Sequence, residues 1–494
     1  MPSNIICLGN GSTEADTLAK NIAVLHNISY WGFLDNNTLI KDGCYHTSIY
    51  DIKPNELMSK TKNIDNLTII VLDQNKTCYS SDQEFYDTIN LAQALSEHAQ
   101  IEFVDPLMIT SFNEIIKINK SFCILPFNSL WVRESDAPRH CCWMTPFKTA
   151  YTNFYDNPES NKMRQQMLSG ELVDSCLVCY KIEDSGAISE RQNQTIQWAH
   201  KLGLRSLDDV KNVKLVNYDI SLGNKCNLMC RMCNPGSSNL ISSEYSRIGL
   251  YPTDRGIIDL DNFDIINFDT VQRIQVVGGE PSINDNFYNF LRKCIRHNKT
   301  DVEIFVSTNA VAINKEFTEL IQNFDNIKFS ISIDGFESTN QYIRWPSPWL
   351  KIINNIKKLT SVLKPYKYYF NTVVSIYNVF QLFELFKFLE ENYPTSAFHI
   401  TFLYNPSILE AWNFPNKQLA LENLNQIKTL KTYQQNQIFK SKIDGIINQL
   451  ETTDIDLVKL KEFFEFNDKL DQSRGVTLAD YIPELNDCRR YLNG

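Results

Sequence analysis

Three cysteines in the run Lys225-Cys226-Asn227-Leu228-Met229-Cys230-Arg231-Met232-Cys233-Asn234 constrain this chain more than any other feature of it. A CxxxCxxC triplet offers thiolates for three irons of a cubane cluster and leaves the fourth iron open, and an open position separates reactive metal sites from closed structural ones. Val213 to Leu222, just upstream, is rich in β-branched and aromatic residues and predicts a strand. The triplet is therefore expected on a loop at a strand's C-terminal end, where α/β folds carry their chemistry. Zinc remains an alternative occupant of thiols at such spacing.

Further strand ends follow. Arg273-Ile274-Gln275-Val276-Val277 predicts a strand running into Gly278-Gly279-Glu280-Pro281, Glu303 to Val306 leads to Ser307-Thr308-Asn309, and Lys328 to Ile333 leads to Asp334-Gly335. Taken singly, Gly-Gly and Asp-Gly are ordinary turn dipeptides. Taken together and in this order, the four pieces resemble the radical S-adenosylmethionine superfamily. The resemblance implies that Cys226, Cys230 and Cys233 bind a 4Fe-4S cluster and that the amine and carboxylate of S-adenosylmethionine chelate its open iron. It implies that Gly278, Gly279, Glu280 and Pro281 lie beside the methionyl group, because glycine permits close backbone approach, with Glu280 facing the ammonium. Ser307, Thr308 and Asn309 are expected near the cofactor, and Ser332 and Asp334 where related enzymes bind its polar groups. Arg344 is expected to pair with the methionyl carboxylate in the two-bond geometry arginine favours, although alone it reads as a solvated surface charge. Such a site turns S-adenosylmethionine into methionine and a 5'-deoxyadenosyl radical that takes hydrogen from an unactivated carbon, the protein supplying orientation and a closed cavity.

A second cysteine group lies upstream: Cys123 in Cys123-Ile124-Leu125-Pro126-Phe127, the pair Cys141-Cys142, and Cys176-Leu177-Val178-Cys179, followed by Glu183, Gly186, Ser189 and Arg191. This order resembles the twitch domain, a shortened relative of the SPASM auxiliary-cluster domain, here preceding the barrel. The resemblance covers roughly residues 116 to 405 and, more weakly, Phe463 to Asp471 with Arg474 and Pro483-Glu484-Leu485. It implies a second 4Fe-4S cluster on Cys123, Cys176, Cys179 and one of Cys141 or Cys142. Adjacent cysteines on a strand point to opposite faces, so one of that pair is expected to miss the site. Structural zinc is the competing occupant.

Strands alternating with helices predict an α/β fold throughout. Residues 1–115 read as a small parallel α/β domain of unassigned role, with strands at Asn4 to Gly9, Leu67 to Asp73 and Ile101 to Val104, helices over Ala15 to Leu25 and Gln83 to His98, and a Gly9-to-Thr13 turn that lacks a phosphate-binding pattern. Residues 116–212 form the twitch-like unit, 213–405 a (β/α)6 partial barrel, and 406–494 a helical cap whose expected role is packing. Barrel helices are predicted over Asp285 to His297, Lys315 to Gln322, Pro346 to Leu363 and Val379 to Glu391, and its last strands over Tyr368 to Ser375 and Phe398 to Leu403.

Thirteen clustered cysteines without an export signal favour metal binding over disulfides. No long apolar run predicts a membrane span, and a cytoplasmic location is expected. A net charge of -10 argues against a nucleic-acid partner. The resemblance implies an S-adenosylmethionine enzyme with a reducing partner such as flavodoxin or ferredoxin. Its substrate is expected to be a peptide or protein-derived, the alternatives being a sugar or nucleotide metabolite. An iron-sulfur redox or sensor protein, or a zinc-stabilised binding module, would have no use for Glu280 or the Ser307-Thr308-Asn309 strand end.

Overall fold

The computed structural model describes residues 119–132, 139–145, 155–184, 189–204, 206–364, 367–394 and 396–492, with five N-terminal strands besides. The chain forms two compact units: Met1–Ser221 with Asn262–Gln275 and Val302–Ile304, and Leu222–Asp261 with Val276–Asp301 and Phe305–Gly494.

In the first unit the N-terminal strands are β1 (Asn4–Leu8), β2 (Ser29–Asp35), β3 (Thr38–Leu39), β4 (Leu67–Leu72) and β5 (Gln100–Val104), in the order β3-β2-β1-β4-β5. β1 pairs in parallel with β2 and β4, and β4 with β5. The sequence predicts β1, β4 and β5; β2 and its short antiparallel partner β3 are additions. The helices expected over 15–25 and 83–98 and the turn at 9–13 lie outside the described residues.

Beyond these, Pro126 helps open the single-turn helix Leu125–Asn128, which runs directly into β6 (Ser129–Val132). β6 is a strand the sequence reading did not anticipate. It lies parallel to β7 (Asn217–Ser221), Ser129 opposite Asn217. Helix Pro158–Ser169 starts where the Asn157 side chain accepts from Ser160 N and stops at Gly170, which supplies the left-handed φ of +81°. Phe122, Met163, Met167 and Trp198 form the core here.

The remaining strands are β8 (Met229–Cys230), β9 (Arg273–Val277), β10 (Glu303–Thr308), β11 (Ile327–Ser332), β12 (Arg344–Trp345), β13 (Tyr368–Val374) and β14 (Ala397–Phe402). The main sheet has the order β14-β13-β11-β10-β9-β7-β6, the six expected barrel strands plus β6, while β8 and β12 form a separate antiparallel pair. Strand burial alternates, which fixes the two faces. Val306, Phe329, Ile331, Phe370 and Ile400 are buried toward the helices, where Phe317 meets Phe329 with ring centroids 5.8 Å apart and Phe386 meets Phe398 at 6.1 Å. The opposite, concave face therefore carries Ser307, Ser330, Ser332, Tyr369, Asn371, His399 and Thr401. Helices Asp285–Arg296, Lys315–Ile321, Trp349–Thr360 and Leu382–Asn392 cover the convex face within a few residues of their predicted limits. The C-terminal segment is helical as expected, with Lys417–Ile427, Gln437–Thr452 and Leu457–Arg474 its longest elements.

Candidate cluster and cofactor site

The three cysteines leave the sheet on a loop held by its own neighbours. Cys226 N donates to Asn239 Oδ1 at 3.0 Å, and Cys233 N to Cys230 O at 3.0 Å. Cys230 ends β8, where it lies opposite Arg344 of β12. The three thiols lie near enough to feel one another's charge: burial holds Cys226 up, and Cys230, Glu280 and Cys233 nearby add to the rise. Burial with Cys230 beside it pushes Cys233 up to about 12. All three are free of disulfides. Among the described residues, no three His, Cys, Asp or Glu side chains form a group able to hold a metal ion. Thiols are soft ligands of the kind that suit iron.

The Gly278 to Pro281 run meets this loop by backbone. Gly278 and Gly279 have φ of +79° and +56°, accessible chiefly to glycine. Glu280 N donates to Lys225 O at 2.9 Å, and a Cβ on Gly279 would stand 2.4 Å from that same oxygen. The motif is thus moulded onto the residue preceding Cys226. Pro281 then opens a short turn whose first N–H groups are capped by the Glu280 side chain.

Glu280 is 1% exposed. Its Oε1 accepts from Thr308 Oγ1 at 2.7 Å and from Ser282 Oγ at 2.8 Å, and its Oε2 from Asn309 N at 2.7 Å. Asn309 Nδ2 in turn donates to Asn227 Oδ1 at 2.8 Å, linking the third strand end to the cysteine loop. Desolvation raises the Glu280 pKa against these hydrogen bonds. Every donor is neutral, and among the described residues no cation pairs with Glu280, so its buried charge lacks a counter-ion. That is the chemistry a methionyl ammonium would complete.

Asp334 is fully buried and committed within the protein: Oδ1 accepts from Val373 N at 2.7 Å and Oδ2 from Arg344 Nε at 2.5 Å. Arg344 is therefore not a solvated charge. Asp334 aims it so that Nη1 lies 3.9 Å from Cys230 Sγ. Ser332 ends β11 half-buried, and Ser307 is exposed on the concave face. His399 there donates from Nδ1 to Asn371 Oδ1 at 2.8 Å, and Thr401 donates to the same oxygen at 3.1 Å. Sequence reading gave these three residues no role; their alternation with buried Phe398 and Ile400 was the available signal.

The upstream cysteines also gather. Cys123, Cys141 and Cys176 border one apolar cluster with Phe122, Phe127 and Met144, and Cys123 is raised first by burial and then by Cys141 and Cys176. Cys179, one helical turn past Cys176, adds to the rise of the Cys176 thiol. Cys142 is exposed. The pair sits in a turn rather than on a strand, yet its two thiols still part company. Glu183, Ser189 and Arg191 form a buried clamp: Arg191 donates to Glu183 Oε1 at 2.8 Å and to Phe122 O at 2.6 Å, and Ser189 Oγ to Glu183 Oε1 at 2.5 Å. It ties the Cys176–Cys179 helix to the residue before Cys123. Gly186 lies outside the described residues.

A β/α partial barrel whose strand ends bring together a three-thiol loop, a glycine pair at positive φ and a buried carboxylate without a counter-ion defines a class of cluster-dependent cofactor enzymes. Residues 220–389 match the model of the Radical SAM superfamily, and this stretch is a radical SAM domain. The chain is 28% identical over 177 residues to an uncharacterized protein of Methanocaldococcus jannaschii, covering 34% of this chain and 57% of that one. It is 28% identical over 120 residues to GTP 3',8-cyclase of Helicobacter pylori, covering 24% and 35%. It thus spans little more than half of the first relative and about a third of the second. Streptococcus suis SuiB, a solved structure, is similar at 16% identity over 55% of this chain and 57% of that one, with a TM-score of 0.30. The match over residues 220–389 supports an enzyme and implies a 4Fe-4S cluster and S-adenosylmethionine. Among the described residues no helix is long and apolar enough to cross a membrane.

Proposed function

We propose that this chain cleaves S-adenosylmethionine reductively, with Cys226, Cys230 and Cys233 holding a 4Fe-4S cluster and Glu280 receiving the cofactor's ammonium. The single observation behind this reading is the buried Glu280 carboxylate, surrounded by neutral donors beside Cys226. When bound, the cluster supplies the electron that releases a radical able to take hydrogen from the substrate. The chain's own contributions are orientation and charge. Asn309, through Asn227, fixes the carboxylate relative to the cysteine loop. Arg344, steered by Asp334, sets a cation beside Cys230. We assign Gly278, Gly279, Pro281, Ser307, Thr308 and Ser332 to the cofactor's surroundings.

Cys123, Cys141, Cys176 and Cys179 are our assignment for a second 4Fe-4S cluster, which would take up the electron left after hydrogen abstraction. Substrate is read as a peptide or protein-derived chain, in keeping with the neutral polar face of Asn371, His399 and Thr401, groups that match amides by hydrogen bonding. Flavodoxin or ferredoxin would supply electrons in the cytoplasm. The test is anaerobic reconstitution with iron and sulfide, followed by a mass-spectrometric assay for 5'-deoxyadenosine under dithionite. The wild-type chain forms it and Cys230→Ala does not; equal rates would overturn the reading.

A further inference from the structure

Arg231 lies within the cysteine loop, between Cys230 and Cys233, and its side chain is wholly buried. Its N–H groups reach partners far along the chain. Nε donates to Tyr342 O at 3.0 Å, Nη1 to Asn467 Oδ1 at 3.0 Å, and Nη2 to Asp471 Oδ1 at 2.6 Å. The guanidinium also sits 3.5 Å from the Tyr342 ring centroid. Asn467 and Asp471 are one turn apart on the helix Leu457–Arg474 and therefore share a face. Tyr342 OH donates to Asp471 at 2.9 Å and Tyr377 OH to Asn467 at 2.8 Å, so the acceptors are themselves fixed.

A second buried ion pair of reversed polarity joins the same two regions. Arg474, at the end of the C-terminal helix, donates to Glu244 at 2.9 and 2.5 Å, and Glu244 belongs to Asn239–Arg247, the helix that follows the cysteine loop. Both side chains are at most 2% exposed. Among the described residues, Arg474 Nη1 is buried and has no hydrogen-bond partner. A buried donor left unmade is costly unless something absent from the protein itself accepts from it. Leu470 and Phe466 of the same helix pack with Ile241, Tyr245, Met229 and Cys233.

We infer that the helix Leu457–Arg474 is a wall of the cysteine site, in which Arg231 and Asp471, seconded by the Arg474–Glu244 pair, are positioning residues for the loop. The inference rests on the proposed role of the cysteine triplet. It replaces the expectation that the C-terminal segment serves packing alone. Replacing Asp471 by Asn strands a buried guanidinium and frees the loop, whereas removing both charges together leaves no buried charge unpaired.

The first measurement needs no cluster. In the metal-free full-length chain, iodoacetamide modification of each cysteine is followed by mass spectrometry, with Cys294, on the buried face of the helix Asp285–Arg296, as internal reference. In Asp471→Asn, Cys230 and Cys233 should react about tenfold faster or more while Cys294 does not change, as in a local rather than global opening. Unchanged loop rates overturn the brace. If Cys294 accelerates too, Arg231→Met/Asp471→Leu decides: Cys294 protected with the loop still reactive supports the brace, and both protected overturns it. If the triplet holds no cluster at all, the wild-type chain fails to load iron there while the alkylation contrast persists, which separates failure of the proposed function from failure of the brace.

Discussion

Replacing Glu280 by Gln keeps the shape of the side chain and removes its charge. The carboxylate accepts from Ser282 N at 3.1 Å, Ser282 Oγ at 2.8 Å and Thr308 Oγ1 at 2.7 Å on one oxygen, and from Asn309 N at 2.7 Å on the other. A glutamine amide has one oxygen, so if it keeps the three donors on the first side its NH2 faces the Asn309 N–H. That unmade bond should cost about 1–3 kcal/mol of stability. Loss of the charge-assisted bond to a methionyl ammonium should cost a further ~1.5–3 kcal/mol of binding, or about 10- to 100-fold in Kd at 1.4 kcal/mol per decade. The assay is anaerobic titration calorimetry of the reconstituted protein with S-adenosylmethionine, alongside iron and sulfide analysis. Iron should remain at the wild-type level, since no cysteine has changed. Wild-type affinity with full iron would refute the argument that the buried carboxylate awaits a cation.

Gly279→Ala places a methyl group 2.4 Å from Lys225 O at a φ of +56°, and should destabilise the chain by about 2 kcal/mol or more and weaken cofactor binding; urea unfolding and the same calorimetry check both effects. Cys176→Ala/Cys179→Ala should lower iron from about eight to about four per chain, as two cubanes become one, while uncoupled 5'-deoxyadenosine formation persists; an unchanged Mössbauer spectrum would remove these cysteines from a cluster. His140 is buried, its Nδ1 donating to Ser129 O at 2.9 Å and its Nε2 accepting from Ser160 Oγ at 2.8 Å, and desolvation lowers its pKa from 6.5 to about 4. Its folded form takes up a proton later than the unfolded chain does, so its contribution is intact above about pH 6.5 and is lost as pH falls toward 4, by about 3 kcal/mol in all. Urea unfolding of the metal-free chain across that range should show a flatter pH slope for His140→Asn.

The barrel strands and the loops after them were legible because chemistry and periodicity coincided: β-branched runs lead to Cys226, Gly278, Ser307 and Asp334, and helices such as the capped, amphipathic Asp285–Arg296 follow them. β6 escaped notice because Ser129–Val132 is only four residues long and buried throughout, with no alternation to reveal it. The division of Cys141 from Cys142 was foreseen for the wrong local reason, a strand where the chain makes a turn. Arg344 was recognisable as a candidate, but its hold on Asp334 depends on a two-residue antiparallel pairing, β8 with β12, that carries no signature in sequence. Arg231 stood in plain view between two cysteines. What defined it was Asp471, 240 residues away, and a long-range ion pair leaves no local pattern to read.

That separation has a consequence for biosynthesis. At roughly 5–20 residues per second, translation from Arg231 to Asp471 takes about ten to fifty seconds. Throughout that interval the cysteine loop is already made while the helix that pins it does not yet exist. The thiols therefore spend the wait with neither ion pair formed, open to oxidants, to stray metals and to one another. Iron delivered early meets a loose loop; iron delivered late meets a braced one. The timing of cluster insertion relative to synthesis of the last helix thus becomes a determinant of how much active protein a cell recovers, and slow translation of the segment between the two would lower the yield of loaded chains.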